Sequence, residues 1–126
     1  LDDSTFDVVV AGEVLEHLWD PTFVVGEVYR ILRPGGVFIG SVPNSFHWRA
    51  RLAFLRGQDE EDETHIHRFS GRKLRALLGG FSQTELRPLG GIGGRRLPRL
   101  PSRLSKPILQ YWPDLFVVDW AFRAVK

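Results

Sequence analysis

A strand–helix–strand pattern in the first third of the chain constrains the fold more than any other feature. Residues 6–11 (FDVVVA) and 37–42 (VFIGSV) are short runs rich in β-branched and apolar residues. Between them, Asp-Pro at 20–21 is typical of a helix start, and Pro-Gly-Gly at 34–36 is typical of a helix end. Strands that are apolar on both faces are common in parallel sheets covered by helices. The pattern therefore predicts a right-handed βαβ unit and α/β architecture.

The rest of the chain continues this pattern. A helix is predicted after Ser70, a weak strand over 81–88, and an alternating strand over 116–125. The strand at 6–11 has no partner earlier in the chain, and so apolar an exposed edge would favour aggregation. We therefore expect more of the sheet to precede Leu1, which is also not a methionine.

Composition excludes several function classes. The chain has 126 residues and no cysteine, which excludes a disulfide scaffold, Cys-ligated zinc and a thiol nucleophile. Its net charge of +2 does not indicate a nucleic-acid partner. It has no apolar run long enough to span a membrane and no signal segment, which predicts a cytoplasmic location. The basic, Gly- and Pro-rich stretch 87–106 is predicted to be a solvated loop, with an anionic partner as the alternative.

An ordered set of motifs carries a family resemblance. It comprises FDVVVAGEVLEHL at 6–18, RILRPGG at 30–36, THIHRFS at 64–70 and WPDLF at 112–116. On these motifs the chain resembles the class I S-adenosylmethionine-dependent methyltransferases, and in particular the ubiquinone-pathway type that carries EVLEHL.

The resemblance implies a partial Rossmann-like methyltransferase sheet whose N-terminal half is missing. Residues 1–126 would be the C-terminal part of a single methyltransferase domain. The runs at 6–11, 37–42 and 81–88 would be the family's fourth, fifth and sixth strands, and 116–125 its antiparallel seventh strand. The family's glycine-rich cofactor motif would then precede Leu1. We therefore expect residues 1–126 to bind S-adenosylmethionine weakly or not at all, and to be inactive alone.

The resemblance also implies site residues. Ala11, Gly12 and Glu13 would meet the methionine and sulfonium part of S-adenosylmethionine, where small residues allow a close approach. Glu16 and His17 are the candidate catalytic residues, with His17 as a base or as a group that orients the acceptor.

Three roles for the E-x-x-E-H pattern remain open. If the segment were helical, Glu13, Glu16 and His17 would share one face and could hold a divalent cation, with His67 as a further ligand in the manner of related RNA methyltransferases. The other two roles are a base at His17 and a structural Glu–His hydrogen bond. We expect no metal.

Two further sets of residues have open roles. His65 and His67 would line the acceptor pocket or pair with the acidic run at 59–63, and as a pair they give only weak support to a metal site. His47 and Trp48 begin the segment where this fold builds its acceptor lid, and could stack on a ring or pack in the core.

The leading function is methyl transfer from S-adenosylmethionine to an oxygen of a small molecule or glycan intermediate. The alternative is a non-catalytic remnant or partner subunit that lacks the cofactor half. A nicotinamide dehydrogenase is not supported, because neither tyrosine has a lysine four residues later. Nothing in the sequence indicates the oligomeric state.

Overall fold

The computed structural model describes residues 1–58, 64–89 and 111–126. These residues form a four-stranded sheet with helices packed on it. In chain order the elements are β1 (Phe6–Gly12), a 3₁₀ turn (Leu15–His17), α1 (Pro21–Ile31), β2 (Leu32–Pro43), α2 (Trp48–Leu55), α3 (Gly71–Leu77), β3 (Gln83–Leu89), α4 (Pro113–Phe116) and β4 (Asp119–Val125).

The strand order is β1-β2-β4-β3. β1 and β2 are parallel, and β4 runs antiparallel to both β2 and β3. This confirms the predicted α/β class and the predicted antiparallel last strand, which the structure places between β2 and β3. Gly12 is in register with Ser41, and Pro43 is in register with Asp119. The carboxyl ends of β1 and β2 and the amino end of β4 therefore meet at one edge of the sheet.

Side-chain caps fix the helix starts that the sequence predicts. The Asp20 carboxylate accepts a hydrogen bond from the Phe23 N–H at 2.9 Å, with proline in the first turn of α1. The Ser70 hydroxyl accepts one from the Lys73 N–H at 3.2 Å and begins α3. Gly35, beyond the end of α1, has φ +79°, the left-handed conformation in which glycine is favoured.

Three predicted strand starts were wrong. β2 begins at Leu32 rather than at 37, β3 begins at Gln83 rather than at 81, and β4 begins at Asp119 rather than at 116. The difference in β4 has a local cause, since Pro113 starts the short helix α4, which includes Phe116. Residues 87–89 belong to β3 and not to a loop, and Arg87 pairs with Glu85 there. The rest of the predicted basic loop and the acidic run lie outside the described residues.

The core lies between the sheet, α1 and α3. Its largest fully buried apolar side chains are Phe38, Phe69, Leu15, Leu32, Leu74 and Leu78. Phe38 of β2 meets Phe122 of β4 edge-on, with ring centroids 4.9 Å apart. In β1, Val9 and Ala11 pack against this core, but Val8 and Val10 are 51% and 72% exposed.

β1 is thus an edge strand of this sheet with one apolar face uncovered. The expectation that further sheet covers it stays a prediction. Within the described ranges, no helix is both long and apolar enough to cross a membrane.

Candidate functional site

The three residues expected at the cofactor lie where β1 ends. Ala11 is half-buried, and Gly12 and Glu13 are exposed at the carboxyl edge of the sheet. A β-carbon on Gly12 would lie 3.8 Å from Ser41 Oγ, so the surface above this glycine is open. The Glu13 N–H donates a hydrogen bond to the Ser41 carbonyl at 3.1 Å.

Glu13 has an unusual backbone. Its φ is +51°, in the left-handed region that costs a non-glycine residue about 1–2 kcal/mol. Strain of this kind is concentrated at ligand and catalytic sites, where the surrounding structure maintains it. The strained backbone of Glu13 therefore favours a functional role for the segment at the end of β1, where the resemblance predicts the cofactor contacts.

The helical arrangement of Glu13, Glu16 and His17 was wrong. The segment forms a single 3₁₀ turn over Leu15–His17, and Glu13 precedes it in its own left-handed conformation. The three residues therefore do not share one helical face. Instead, the turn directs Glu16 into the protein, where it is fully buried, and leaves His17 partly exposed.

The Glu16 carboxylate is buried without a hydrogen-bond donor from another described residue. Neither of its oxygens meets a hydrogen-bond partner within the described part of the chain. Burial raises the pKa of Glu16, and the negative charge of Glu13 adds to that rise, whereas its own backbone N–H, His17 and His65 act in the opposite direction. A buried carboxyl group without a donor is costly. The site therefore favours a proton or a cation beside it.

His17 is held in one orientation. Its Nδ1 lies 3.0 Å from the Thr64 carbonyl oxygen, which can only accept, so Nδ1 carries the proton of the neutral ring. The lone pair is then on Nε2, which is 3.8 Å from Glu16 Oε1. The His65 ring meets the His17 ring edge-on, with centroids 4.8 Å apart. A ring held in this way can take a proton or bind a cation through Nε2.

The residues that could share a cation differ from the predicted set. One ligand atom from each of Glu16, His17 and His65 lies within 4.8 Å of the others. Glu13 and His67 are not part of this group, although the sequence placed both in it. The Nε2 of the His67 ring instead lies 3.3 Å from the Trp19 carbonyl oxygen, and the His67 backbone N–H donates to the Glu16 backbone carbonyl at 3.0 Å. The Glu16 carboxylate, whose oxygens have no hydrogen-bond partner among the described residues, and the unprotonated Nε2 of His17 are ligand types that bind divalent cations.

A cleft of about 600 Å³ adjoins the cluster. Its walls come from the end of β2, from α2, from His65 and from the start of β4, including Asp119. His47 also lines it and caps α2, because its Nδ1 accepts a hydrogen bond from the Ala50 N–H at 3.3 Å. Trp48 is half-buried and does not line the cleft. Of the two predicted lid residues, only His47 lies at the cleft.

Two cleft residues were missed by the sequence reasoning. Asn44 is buried, and its Nδ2 donates to the carbonyls of Val117 at 2.6 Å and Asp114 at 2.9 Å. Its Oδ1 accepts a hydrogen bond from the Phe46 N–H at 3.1 Å. Asn44 therefore connects the cleft wall at Phe46 to α4 and to Val117, which precedes β4. Asp119 is half-buried, and burial, followed by the charge of Glu13, raises its pKa. Asn44 follows Pro43 in a Pro-Asn pair that belongs to the motifs of the family resemblance, and Asp119 begins β4, so these are the sequence signals that could have found them.

This four-stranded sheet, with β4 antiparallel between β2 and β3, is similar to a part of the Rossmann-like sheet of class I methyltransferases. A family model described as a methyltransferase domain matches residues 2–81. The chain therefore belongs to the methyltransferase domain family.

Curated relatives agree with this family. The chain is 37% identical over 122 residues to a probable S-adenosylmethionine-dependent methyltransferase of Mycolicibacterium smegmatis, covering 94% of this chain and 44% of that protein. It is 41% identical over 110 residues to one of Mycobacterium tuberculosis, covering 86% of this chain and 38% of that protein. The chain thus spans less than half the length of these relatives.

Solved structures show the same fold. A methyltransferase of Thermotoga maritima, described as a possible histamine N-methyltransferase, superposes with a TM-score of 0.71 at 19% identity, over 100% of this chain and 58% of that one. An S-adenosylmethionine-dependent methyltransferase of Archaeoglobus fulgidus gives a TM-score of 0.68 at 20% identity, over 100% of this chain and 62% of that one. At these identities the likeness concerns the fold alone.

Proposed function

We propose that the full gene product containing this chain transfers a methyl group from S-adenosylmethionine to an oxygen of a small molecule or glycan intermediate. In this proposal residues 1–126 supply the C-terminal part of one domain. The observation that carries it is the orientation of His17, whose unprotonated Nε2 lies 3.8 Å from Glu16 Oε1, in the turn that follows β1 and the strained Glu13.

Methyl transfer requires the protein to align the acceptor with the methyl group more than to activate the methyl group. The cofactor, when bound, supplies a methyl group that its sulfonium already activates. Ala11, Gly12 and Glu13 would hold the methionine end, since the surface at Gly12 is open to a close approach. The cleft next to His65 would hold the acceptor and exclude water from it.

His17 would accept the acceptor's proton. A hydroxyl acceptor becomes a better nucleophile when a base takes its proton, and a base of this kind contributes about 10²–10⁴-fold in rate. The Thr64 carbonyl keeps the His17 proton on Nδ1, which leaves Nε2 free for this step. The buried Glu16 carboxylate, 3.8 Å away, would stabilise the imidazolium that forms.

A second candidate is a divalent cation bound by Glu16, His17 and His65, and the orphaned oxygens of Glu16 favour it. Such a cation would orient hydroxyl groups of the acceptor. In that case His17 would act as a ligand and not as a base. The two roles make different predictions for added chelator and for the pH profile.

The test uses the full gene product with cofactor labelled on its methyl group and a small-molecule and glycan extract from a strain that lacks the gene. We expect His17→Ala to lower incorporation of label by about 10²-fold or more. Cofactor affinity should stay unchanged, because Ala11, Gly12 and Glu13 are intact. His67→Gln is the matched control, since His67 lies outside the cluster.

A base at His17 predicts activity that survives EDTA and falls with protonation of the imidazole. A cation predicts activity that EDTA abolishes and that Mg²⁺ or Mn²⁺ restores. Equal incorporation by wild type and His17→Ala would contradict both roles.

A further inference from the structure

Asp119 is the acidic side chain that lines the cleft. It is half-buried at the first position of β4, in register with Pro43 of β2. Among the described residues, its carboxylate has no hydrogen bond and no ion pair. An ionised carboxylate only accepts hydrogen bonds, so a partly buried one without a donor loses hydration that no described residue replaces.

The same cleft has a large apolar surface in contact with water. Phe54 and Leu55 of α2 line it, yet they are 74% and 80% exposed. Phe46 lines it as well and is 38% exposed. Arg51, a basic lining residue, already donates from its Nε to the Phe46 carbonyl at 2.8 Å. The cleft thus combines apolar side chains with one carboxylate that needs a donor.

We propose that Asp119 selects the methyl acceptor, by accepting a hydrogen bond from a hydroxyl or amine group of a molecule whose apolar face covers Phe54 and Leu55. The inference rests on the proposed function, because it names what the acceptor cleft recognises. Asp119 binds the acceptor and does not take part in the transfer.

The charges around Asp119 support this recognition. Burial and then the charge of Glu13 raise the pKa of Asp119, and no ion pair among the described residues includes its carboxylate. A donor from the ligand would supply the missing partner, whereas an anionic group at the same place would be repelled. A site with an unpaired polar group discriminates strongly against ligands that cannot pair with it.

The experiment measures binding of three small probes to the full gene product by NMR titration. Phenethyl alcohol and phenethylamine each place a donor next to an aromatic ring, and phenethyl methyl ether keeps the ring and the oxygen but has no donor. We expect wild type to bind the alcohol or the amine about tenfold more tightly than the ether, which is the effect of one hydrogen bond to a charged group.

Two variants of Asp119 separate the sources of the donor. Asp119→Ala should remove the preference for either donor over the ether. Asp119→Asn keeps an acceptor oxygen without the charge, so it should retain preference for the alcohol and lose preference for a protonated amine. Glu85→Gln, on the outer strand β3 and away from the cleft lining, is the control and should behave as wild type.

Three results would overturn the inference. These are equal affinity of wild type for all three probes, a donor preference that persists in Asp119→Ala, and failure of all three probes to bind wild type at millimolar concentration. Calorimetry with S-adenosylmethionine on the same proteins keeps the two proposals apart. If wild type did not bind S-adenosylmethionine, the proposed function would be refuted. The probe titrations would still decide, on their own, whether Asp119 prefers a ligand with a hydrogen-bond donor.

Discussion

Replacing Gly40 by alanine should destabilise the sheet at the point that positions the site. Gly40 is buried in β2, next to Ala11 of β1. An added β-carbon would lie 2.2 Å from the Ala11 carbonyl oxygen, and 2.5 and 2.7 Å from two ring atoms of Phe122. These distances are far below van der Waals contact, and the nearest atom belongs to the backbone of a hydrogen-bonded strand.

The expected cost follows from these contacts. Overpacking of a core costs about 1–3 kcal/mol, and occasionally more. Since neither the Ala11 backbone nor the Phe122 ring can move away freely, we expect a loss of about 3 kcal/mol in the free energy of unfolding. β1 would have to shift away from β2 at Ala11, so affinity for S-adenosylmethionine should fall as well.

Urea denaturation of the full gene product measures this loss, and Gly26→Ala is the matched control. Gly26 lies within α1, and a β-carbon there would have no heavy atom within 4 Å. Because alanine is the better helix former, Gly26→Ala should raise stability by about 0.5–1 kcal/mol. If Gly40→Ala were as stable as wild type, the close pairing of β1 with β2 would be wrong.

Three further changes test the site. Asn44→Ala should cost about 3 kcal/mol in urea denaturation, because it leaves buried backbone partners unpaired; a cost below about 0.5 kcal/mol would contradict this role. Glu13→Gly should relieve the left-handed strain and stabilise the fold by up to about 1 kcal/mol. The same change removes the charge of Glu13 and should therefore lower the pKa of Asp119. An unchanged titration of Asp119 by NMR would contradict the electrostatic coupling of Glu13 and Asp119. Asp119 has a raised pKa, so as the pH rises above 3.8 the unfolded chain ionises first and wild type loses stability relative to Asp119→Asn. That relative loss should be complete above the folded-state pKa and absent at low pH, and a difference that does not vary with pH would contradict it.

Most of the fold could be predicted from local patterns and the family motifs. The β-branched runs and the caps at Asp20 and Ser70 indicated the elements, and the resemblance supplied the antiparallel direction of the last strand. The predicted boundary of β4 was wrong, because alternation of apolar residues extends through Phe116, while Pro113 and the bonds of Asn44 shape the preceding turn.

The site was less predictable, because its contacts join distant parts of the chain. The spacing of E-x-x-E-H assumed an α-helix, whereas the single 3₁₀ turn buries Glu16. His17 is held by Thr64, which lies 47 positions later in the chain, and spacing alone could not choose His65 over His67. The alternating pattern predicts only that Asp119 is a polar residue on one face of a strand. The register of the sheet, which cannot be read from that pattern, places it opposite Pro43 at the cleft.

Calorimetric titration with S-adenosylmethionine tests the central claim most directly. We expect micromolar binding by the full gene product and weak or no binding by residues 1–126 alone, since in the proposed function these residues would provide only the β1 end of the cofactor site. Absence of binding by the full gene product would contradict the claim that this chain completes a methyltransferase. Binding by residues 1–126 as tight as that of the full gene product would show that the cofactor site lies elsewhere than proposed.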